Sequence, residues 1–367
     1  MKTSRLTEID LLRFVTALAI VIYHYSFRGY AADGLSVMPY PALANVAKYA
    51  IYSPELFFMI SGFVTLMTIQ SRTLRDFVVS RAVRLYPAFW VCCTLTFVAI
   101  VAIGEPRFSA TVGQYLVNMT LMSGYVDVAP IDGVYWYLFV ELRFYALVAV
   151  VILFRKTHLA EQLLALWLVA SIVLVVVPTD HLFLNVLRDL LVVSHSTFFI
   201  AGALLYLVWS KGISDARASA LLLSWGLALY QCIKNLPEFE QHYSTDMNDV
   251  VVGAIVTGYY LVMVLISLKA TSFLGNRRWT TIGAVSYPLY LLHANIGFMV
   301  FNVAYPELNA HVLLWGTVLA MITACFIIHY TVEDTLSVPL KTAINRSLDA
   351  VQRLTARVNG SSGASGK

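Results

Sequence analysis

The sequence predicts an all-α protein, a polytopic membrane helix bundle of about ten transmembrane helices with both termini in the cytoplasm. The first reason is composition: 59% of the 367 residues are hydrophobic and 13% are charged, whereas soluble domains carry about a quarter charged residues. The mean hydropathy of +0.74 points the same way. The other two reasons are a series of long apolar segments and an uneven distribution of basic residues among the loops between them.

Ten segments have the length and apolar character of spanning helices, which need ~20 predominantly apolar residues. The first contains Asp10 and Arg13 and lacks a small-residue cleavage site, so we expect a retained helix rather than a cleaved signal peptide. The fifth and seventh are the shortest. The predicted spans are 10–27, 48–70, 86–104, 134–154, 161–178, 187–208, 217–233, 248–268, 279–304 and 309–331.

Basic residues are concentrated in every second loop. If the N-terminus is cytoplasmic, the cytoplasmic side carries Lys2, Arg5, Arg72, Arg75, Arg81, Arg84, Arg155, Lys156, Lys211, Arg217, Lys269, Arg277, Arg278 and the basic tail. The other side carries Arg28, Lys48, Arg107, Arg188 and Lys234. Because cytoplasmic loops of membrane proteins are enriched in Lys and Arg, this asymmetry predicts that both termini are cytoplasmic.

Two stretches are predicted not to cross the membrane. Residues 72–86 are basic and amphipathic, which predicts a helix lying along the cytoplasmic interface. The chain is expected to divide into a membrane domain, residues 1–340, and a basic cytoplasmic tail, residues 341–367. The tail has the same amphipathic character as far as Arg357, and its final NGSSGASGK is expected to be flexible.

The charge and cysteine content exclude some partners. A net charge of +4 is too small to indicate nucleic-acid binding, and we expect membrane lipid as a partner instead. The cysteines lie in apolar stretches without metal-ligand spacing, so we expect no metal. They are Cys92, Cys93, Cys232 and Cys325.

Among the ionisable residues within the predicted spans, seven stand out, in five of the spans. Such a residue costs ~2.5–3.5 kcal/mol on insertion scales and normally faces the protein interior. Together they predict a polar cavity within the bundle. They are Arg13, His24, Glu55, Glu141, Arg143, His195 and His293.

Arg13 and His24 are the most informative pair. Eleven residues turn a helix by about 1100°, within about 20° of three whole turns, and advance it by about 16.5 Å. Both side chains therefore face the same side of the first span. A neutral imidazole is suited to act as a general base near neutral pH; the alternative is a hydrogen bond from His24 to a neighbouring helix.

The remaining charged residues have two interpretations each. Arg81 and Arg84 share a helix face and suit bidentate phosphate binding, but such pairs also determine topology and contact lipid headgroups. Glu55 and Glu141 lie at depths from which either could orient an imidazolium. Arg143 is predicted to pair with one of these carboxylates or to contact a ligand.

Three polar side chains recur at intervals of three residues in the ninth span. Tyr287 and Tyr290 precede His293 on one broad face, and tyrosines at this spacing are typical of packing. His195 is predicted only to be a polar residue in mid-span.

Several stretches contain these residues in a recognisable order. They are RLTEIDLLRFVTALAIVIYH with Arg13 and His24, PELFFMISGFV with Glu55, RAVR with Arg81 and Arg84, VYWYLFVELRFYAL with Trp136, Glu141 and Tyr145, and SYPLYLLH ending at His293. From about residue 5 to 335 the chain thereby resembles the acyltransferase-3 family of integral-membrane acyltransferases, many of which O-acetylate bacterial surface polysaccharides. Phe14 stands where the family often has Gly, and Glu333 is not followed by the family's late Glu-x-Pro pattern, so no role is assigned to it.

The resemblance implies an O-acyltransferase of the bacterial inner membrane that takes an acyl group, in most of the family acetyl, from cytoplasmic acyl-CoA. The acceptor implied is a hydroxyl of an extracytoplasmic glycan or glycolipid. His24 would deprotonate that hydroxyl or form a transient acyl-imidazole, with Glu141 or Glu55 holding the ring. The residues implied to bind CoA are Arg13, Arg81 and Arg84, and those implied to support the site are His293, Trp136 and Tyr145.

Two other classes of protein remain open at this point. A proton-coupled transporter or flippase of a lipid-linked sugar could use the same buried histidines and carboxylates as a relay, although the chain has no internal repeat. A non-catalytic membrane assembly partner would need neither the arginine pair nor the histidine. The identity of the acceptor, the acyl group and the oligomeric state have no signature in the sequence.

Overall fold

Ten long helices lie at the positions of the ten predicted spans, and an eleventh follows them. A computed structural model describes residues 6–70, 72–177 and 181–362, and this part of the chain contains no β-strand. The helices are α1 Thr7–Tyr23, α2 Ser53–Ile69, α3 Leu74–Ile103, α4 Trp136–Leu153, α5 Ala160–Val176, α6 Ser196–Lys211, α7 Asp215–Lys234, α8 Asp249–Ser267, α9 Trp279–Ala304, α10 Ala310–Ile328 and α11 Asp334–Ser362. The all-α prediction is confirmed.

Eight of the described helices, taken with the 3-10 and π turns that continue them, are long and apolar enough to cross a membrane. The sixth and seventh predicted spans correspond to helices that fall short of this criterion. Helix α6 has 16 residues, about 24 Å at 1.5 Å per residue, against a hydrocarbon core of about 30 Å. Helix α7 has 20 residues but carries Asp215, Arg217 and Lys234. The chain is therefore a polytopic helical membrane bundle.

Residues 72–86 do not form the separate interfacial helix that their amphipathic pattern predicts. They begin α3, a single helix of 30 residues that continues through Pro87. Thr73 caps its start, because the Thr73 hydroxyl accepts from Asp76 N at 3.1 Å and the Asp76 carboxylate accepts from Thr73 N at 3.4 Å. The prediction was wrong because the change in pattern near residue 86 marks a change of surroundings along one helix, not a break in it.

The sixth predicted span, 187–208, is interrupted. A short helix, Leu182–Leu190, ends at a turn in which Val192 has a left-handed φ of 52°, uncommon for a β-branched residue. Val193 N donates to Arg188 O at 2.9 Å and closes this turn. His195 consequently stands directly before α6 rather than in mid-span, where it was predicted.

The centre of the bundle is the crossing of α2 and α6, the most extensive helix pair in the fold. Gly62 of α2 and Gly202 of α6 face each other's helix so closely that a β-carbon would collide with Phe199 O or Met59 O, respectively. Small residues let membrane helices approach at backbone distance, where packing contacts rather than hydrophobicity provide the attraction. Helix α1 packs against α2, and α9 packs in turn against α1.

The C-terminal helix α11 docks on the first turn of α3. Arg75 of α3 donates to Asp349 Oδ1 at 2.6 Å and to Asn345 Oδ1 at 3.0 Å. The predicted domain boundary after residue 340 lies within this helix. The Glu333 side chain and residues 363–367, the last part of the segment predicted to be flexible, lie outside the described part of the chain.

We expect Gly202→Ala to lower the thermal unfolding temperature of the purified protein clearly, because the new methyl group would collide with the backbone of α2. Gly226→Ala is the matched control: Gly226 lies inside α7, where an added β-carbon would meet no other atom within 4 Å, and Ala is the better helix former. Equal unfolding temperatures for the two variants would show that α2 and α6 are not in backbone contact.

Candidate functional site

Two internal cavities lie along α1. We call the first the arginine cavity; it has a volume of about 40 Å³ and its wall includes Arg13, Ser61, Arg84, Glu141, Tyr287 and Tyr290. The second, the histidine cavity, has a volume of about 340 Å³, and its wall includes His24, Arg28, Asp132, Trp136, Tyr243, Tyr290 and Asn295. The larger volume lies within the range of about 300–1,000 Å³ of small-molecule sites. Tyr290 borders both cavities, so the two spaces meet at its side chain.

His24 stands where α1 widens into a π-helical turn, His24–Arg28. Its Nδ1 lies 2.9 Å from Ile20 O, one turn earlier, and 3.1 Å from His293 Nε2 on α9. Because a carbonyl oxygen can only accept, the contact with Ile20 assigns the proton of a neutral His24 ring to Nδ1. Its Nε2 makes no hydrogen bond to a described residue. The lone pair of this nitrogen is therefore available to accept a proton beside the histidine cavity.

His293 supports this assignment from the other side of the contact. It is fully buried, and its Nδ1 lies 2.9 Å from both Leu289 O and Tyr290 O. Two carbonyl acceptors place the proton of His293 on Nδ1, so its Nε2 accepts from His24 Nδ1–H. His293 thus orients His24 and can stabilise an imidazolium, as a carboxylate does in a Ser-His-Asp triad.

The three predicted CoA-binding arginines differ in their surroundings. Arg84 borders the arginine cavity, is exposed, and makes no hydrogen bond or ion pair to a described residue. Arg13 borders the same cavity and lies 3.7 Å from Asp10 on its own helix. Arg81 is buried and points elsewhere, donating to Thr68 Oγ1 at 3.0 Å and covering the Tyr145 ring at 4.8 Å. Arg84 is therefore the cation with most capacity left for an anionic ligand.

Glu141 does not hold His24, as the resemblance implied it might. Its Oε1 accepts from Ser61 Oγ at 2.8 Å and from Tyr145 OH at 2.6 Å. It is buried and borders the arginine cavity together with Arg84. Its place is with the arginines, because these hydrogen bonds hold the carboxylate on Ser61 of α2 and Tyr145 of α4.

Glu55 does not hold His24 either. Its Oε1 accepts from His195 Nδ1 at 2.9 Å, and the left-handed turn at Val192 is what brings His195 to this position. The His195 ring lies 5.6 Å from the Trp136 ring, which forms part of the histidine-cavity wall. Glu55 and His195 therefore support the cavity from behind Trp136.

Arg143 pairs with neither of the two carboxylates. Its Nη1 lies 3.7 Å from Asp189 Oδ1 and its guanidinium covers the Tyr125 ring at 5.5 Å. Of the two alternatives predicted for Arg143, pairing with one of these carboxylates is therefore wrong. Arg143 and Glu141 are two residues apart on α4, and positions at that spacing do not share a helix face, while Glu55 is hydrogen-bonded to His195.

Sequence reasoning missed three residues at the cavities. Tyr290 was assigned to packing but borders both spaces, with its hydroxyl donating to Val134 O at 2.8 Å. Asp132 and Asn295 border the histidine cavity. Burial raises the pKa of Asp132 to about 6, although it accepts hydrogen bonds from the backbone of Asn295 and Val134. An Asp-Gly pair before a helix is typical of a turn, so only the fold reveals where this carboxylate lies.

The fold and the site together define a multi-pass membrane protein with a pair of hydrogen-bonded histidines, one of which borders a cavity inside the helix bundle. A family model described as an acyltransferase domain, that of the acyltransferase-3 family, matches residues 6–330. The chain belongs to this family and is an integral-membrane acyltransferase. No curated protein and no solved structure shows significant similarity to it. No group of three or more His, Cys, Asp or Glu side chains that could hold a metal ion occurs among the described residues.

A double-mutant cycle tests the separation of Glu55 from His24. We expect Glu55→Met and His195→Ala to be coupled by about 0.5–3 kcal/mol in the free energy of unfolding, as contacting residues are. Glu55→Met and His24→Ala should be additive. Coupling of Glu55 to His24 instead would contradict the pairing described above.

Proposed function

We propose that the protein transfers an acyl group, with acetyl as the first candidate, from cytoplasmic acyl-CoA to a hydroxyl of an extracytoplasmic glycan or glycolipid at the bacterial inner membrane. The observation that carries the proposal is the free Nε2 of His24, beside a cavity large enough for a sugar, on the helix that also carries Arg13. The positive-inside distribution of basic residues favours the arginine cavity as the cytoplasmic end. Family membership favours transfer over transport, since a proton-coupled transporter or flippase would consume no acyl-CoA.

The donor fits the charges along α1. CoA carries phosphates at one end and its thioester at the other. The phosphates would lie at Arg84 and Arg13, since an unpaired guanidinium inside a membrane bundle is costly without an anion. The rise of about 16.5 Å from Arg13 to His24 is on the order of the length of the pantetheine arm. The thioester would then lie beside Tyr290 and within reach of the histidine cavity.

The transfer step follows from the ring assignment. His24 Nε2 accepts the proton of the acceptor hydroxyl while the hydroxyl oxygen attacks the thioester carbonyl carbon. The new C–O bond forms, the C–S bond breaks, and the leaving sulfur takes the proton from His24 Nε2. Throughout, the Nδ1–H of His24 donates to His293 Nε2 and Ile20 O, and these hydrogen bonds stabilise the imidazolium. In the alternative route, the thioester would first acylate the same Nε2, and the acceptor hydroxyl would attack this transient acyl-imidazole in a second step.

The first test replaces the base. We expect His24→Ala to lower kcat for thiol release from acetyl-CoA by roughly 10²–10⁴, the usual contribution of a positioned acid–base group. Acetyl-CoA binding should be retained. The assay uses purified protein in nanodiscs with a cell-envelope extract as the source of acceptor, and His158→Ala, an exposed histidine, as control. A His24→Ala protein with wild-type turnover would remove the mechanism, and a wild type that fails to bind acetyl-CoA would favour the transporter.

The second test separates the two arginines of the RAVR motif. Arg84→Ala should raise KM for acetyl-CoA by about tenfold to a hundredfold, the loss of a charge-assisted contact, and Arg84→Lys should raise it less. With S-acetylpantetheine, which has no phosphate, the Arg84→Ala penalty should vanish. Arg81→Ala should mainly lower the unfolding temperature, because Arg81 packs on Tyr145.

An Arg84→Ala penalty of equal size for acetyl-CoA and S-acetylpantetheine would show that Arg84 does not contact the phosphates. A larger KM effect from Arg81→Ala than from Arg84→Ala would reverse the assignment of the two residues.

A further inference from the structure

Asp132 is a buried carboxylate in the wall of the histidine cavity. It is 1% exposed, its Oδ1 accepts from Val134 N at 3.1 Å, and its Oδ2 accepts from Asn295 N at 2.9 Å. No Lys, Arg or His of the described chain forms an ion pair with it. The contact with Val134 caps the turn before α4, and the contact with Asn295 ties that turn to α9.

These two hydrogen bonds do not explain why a charged side chain rather than a neutral one stands at position 132. An ionised carboxylate offers about four acceptor positions, and two backbone N–H groups fill two of them. A neutral Asn or Ser caps a helix start as well as Asp does, without the cost of burying a charge. Asp132 is one of the residues that border the histidine cavity, which is where hydrogen-bond donors of a ligand would lie.

The groups beside Asp132 have complementary chemistry. The side-chain amide of Asn295 donates to Ile131 O at 3.0 Å, which leaves its Oδ1 without a partner among the described residues. Trp136 keeps 40% of its surface exposed and forms part of the same wall. Arg28 is already engaged with Asp33 at 2.6 Å. The wall therefore offers acceptors for hydroxyl groups and an apolar ring face, but no unpaired cation among the described residues.

We propose that Asp132 and Asn295 bind hydroxyl groups of the acceptor sugar next to the one that is acylated, and that the cavity selects uncharged sugars over sugars that carry a carboxylate. The inference rests on the proposed function, since the histidine cavity is taken as the acceptor site. The Asp132 carboxylate accepts from neighbouring hydroxyls, Asn295 Oδ1 accepts from another, and the C–H face of the sugar lies on Trp136. A carboxylate on the sugar would face Asp132 with no cation to compensate it.

The test uses a matched pair of probes, methyl α-D-glucopyranoside and its uronate, together with the methyl glycosides of galactose and rhamnose. Binding to the full-length protein in nanodiscs is measured by saturation-transfer difference NMR, and turnover by thiol release from acetyl-CoA. We expect at least one neutral glycoside to bind saturably and the uronate to bind roughly tenfold more weakly or not at all.

Two variants and a control separate recognition from folding. Asp132→Asn should weaken the neutral glycoside by roughly tenfold, as removal of an ionic hydrogen-bond acceptor does, and should reduce discrimination against the uronate. Asn295→Ala keeps the backbone N–H that donates to Asp132, so it should weaken sugar binding without disturbing the turn before α4. Gln114→Ala removes a hydrogen bond to the same loop, at Ala129 O, and should leave sugar binding unchanged. None should change acetyl-CoA binding.

The outcomes distinguish this inference from the proposed function. Asp132-dependent sugar binding without thiol release would support the sugar site and refute the transferase assignment. Thiol release with unchanged sugar affinity in Asp132→Asn and Asn295→Ala would do the reverse. Absence of saturable binding by every neutral glycoside, or equal binding of glucoside and uronate by the wild type, would overturn the inference.

Discussion

The site depends on a hydrogen bond that a histidine makes to its own helix. His293 Nδ1 faces the carbonyls of Leu289 and Tyr290 at 2.9 Å each, so the proton of the neutral His293 ring is on Nδ1. That fixes Nε2 of His293 as an acceptor, which in turn fixes Nδ1–H of His24 and leaves His24 Nε2 free. A histidine between two helices could otherwise exist in either tautomer; here the backbone carbonyls of Leu289 and Tyr290 select one.

The carboxylates of Glu55 and Glu141 contact residues other than His24. In a triad the acid orients the base, but here His293 orients His24 and neither glutamate forms a hydrogen bond with it. Glu141 instead borders the cavity of Arg84, where opposite charges lie together, and Glu55 is hydrogen-bonded to His195. The backbone contact of α2 and α6 holds both glutamates in place, because Glu55 and the Ser61 that donates to Glu141 lie on α2 and His195 directly precedes α6.

The sequence was sufficient to predict which side chains share a helix face, but not which residues the charged side chains contact. The eleven-residue interval between Arg13 and His24 depends only on helix geometry, so their arrangement on α1 could be predicted without a structure. The partners of Glu55, Glu141 and Arg143 depend on how helices far apart in sequence are rotated against each other, and no local pattern records that rotation. His195 needed the left-handed turn at Val192, which has no Gly or Asn to signal it. The amphipathic stretch 72–86 misled because polarity along α3 changes while the helix continues.

Tyr290 has a consequence for the membrane as a barrier. A protein that joins a reactant on one side to a reactant on the other must avoid becoming a path for protons and salt, or the cell would lose its electrochemical gradient. The two cavities meet at one aromatic side chain whose hydroxyl is held by Val134 O, and a neutral hydrogen bond of this kind contributes about 0.5–1.5 kcal/mol. A bond of this strength lets the Tyr290 side chain move, so the barrier between the two cavities is a single side chain rather than a layer of packed helices.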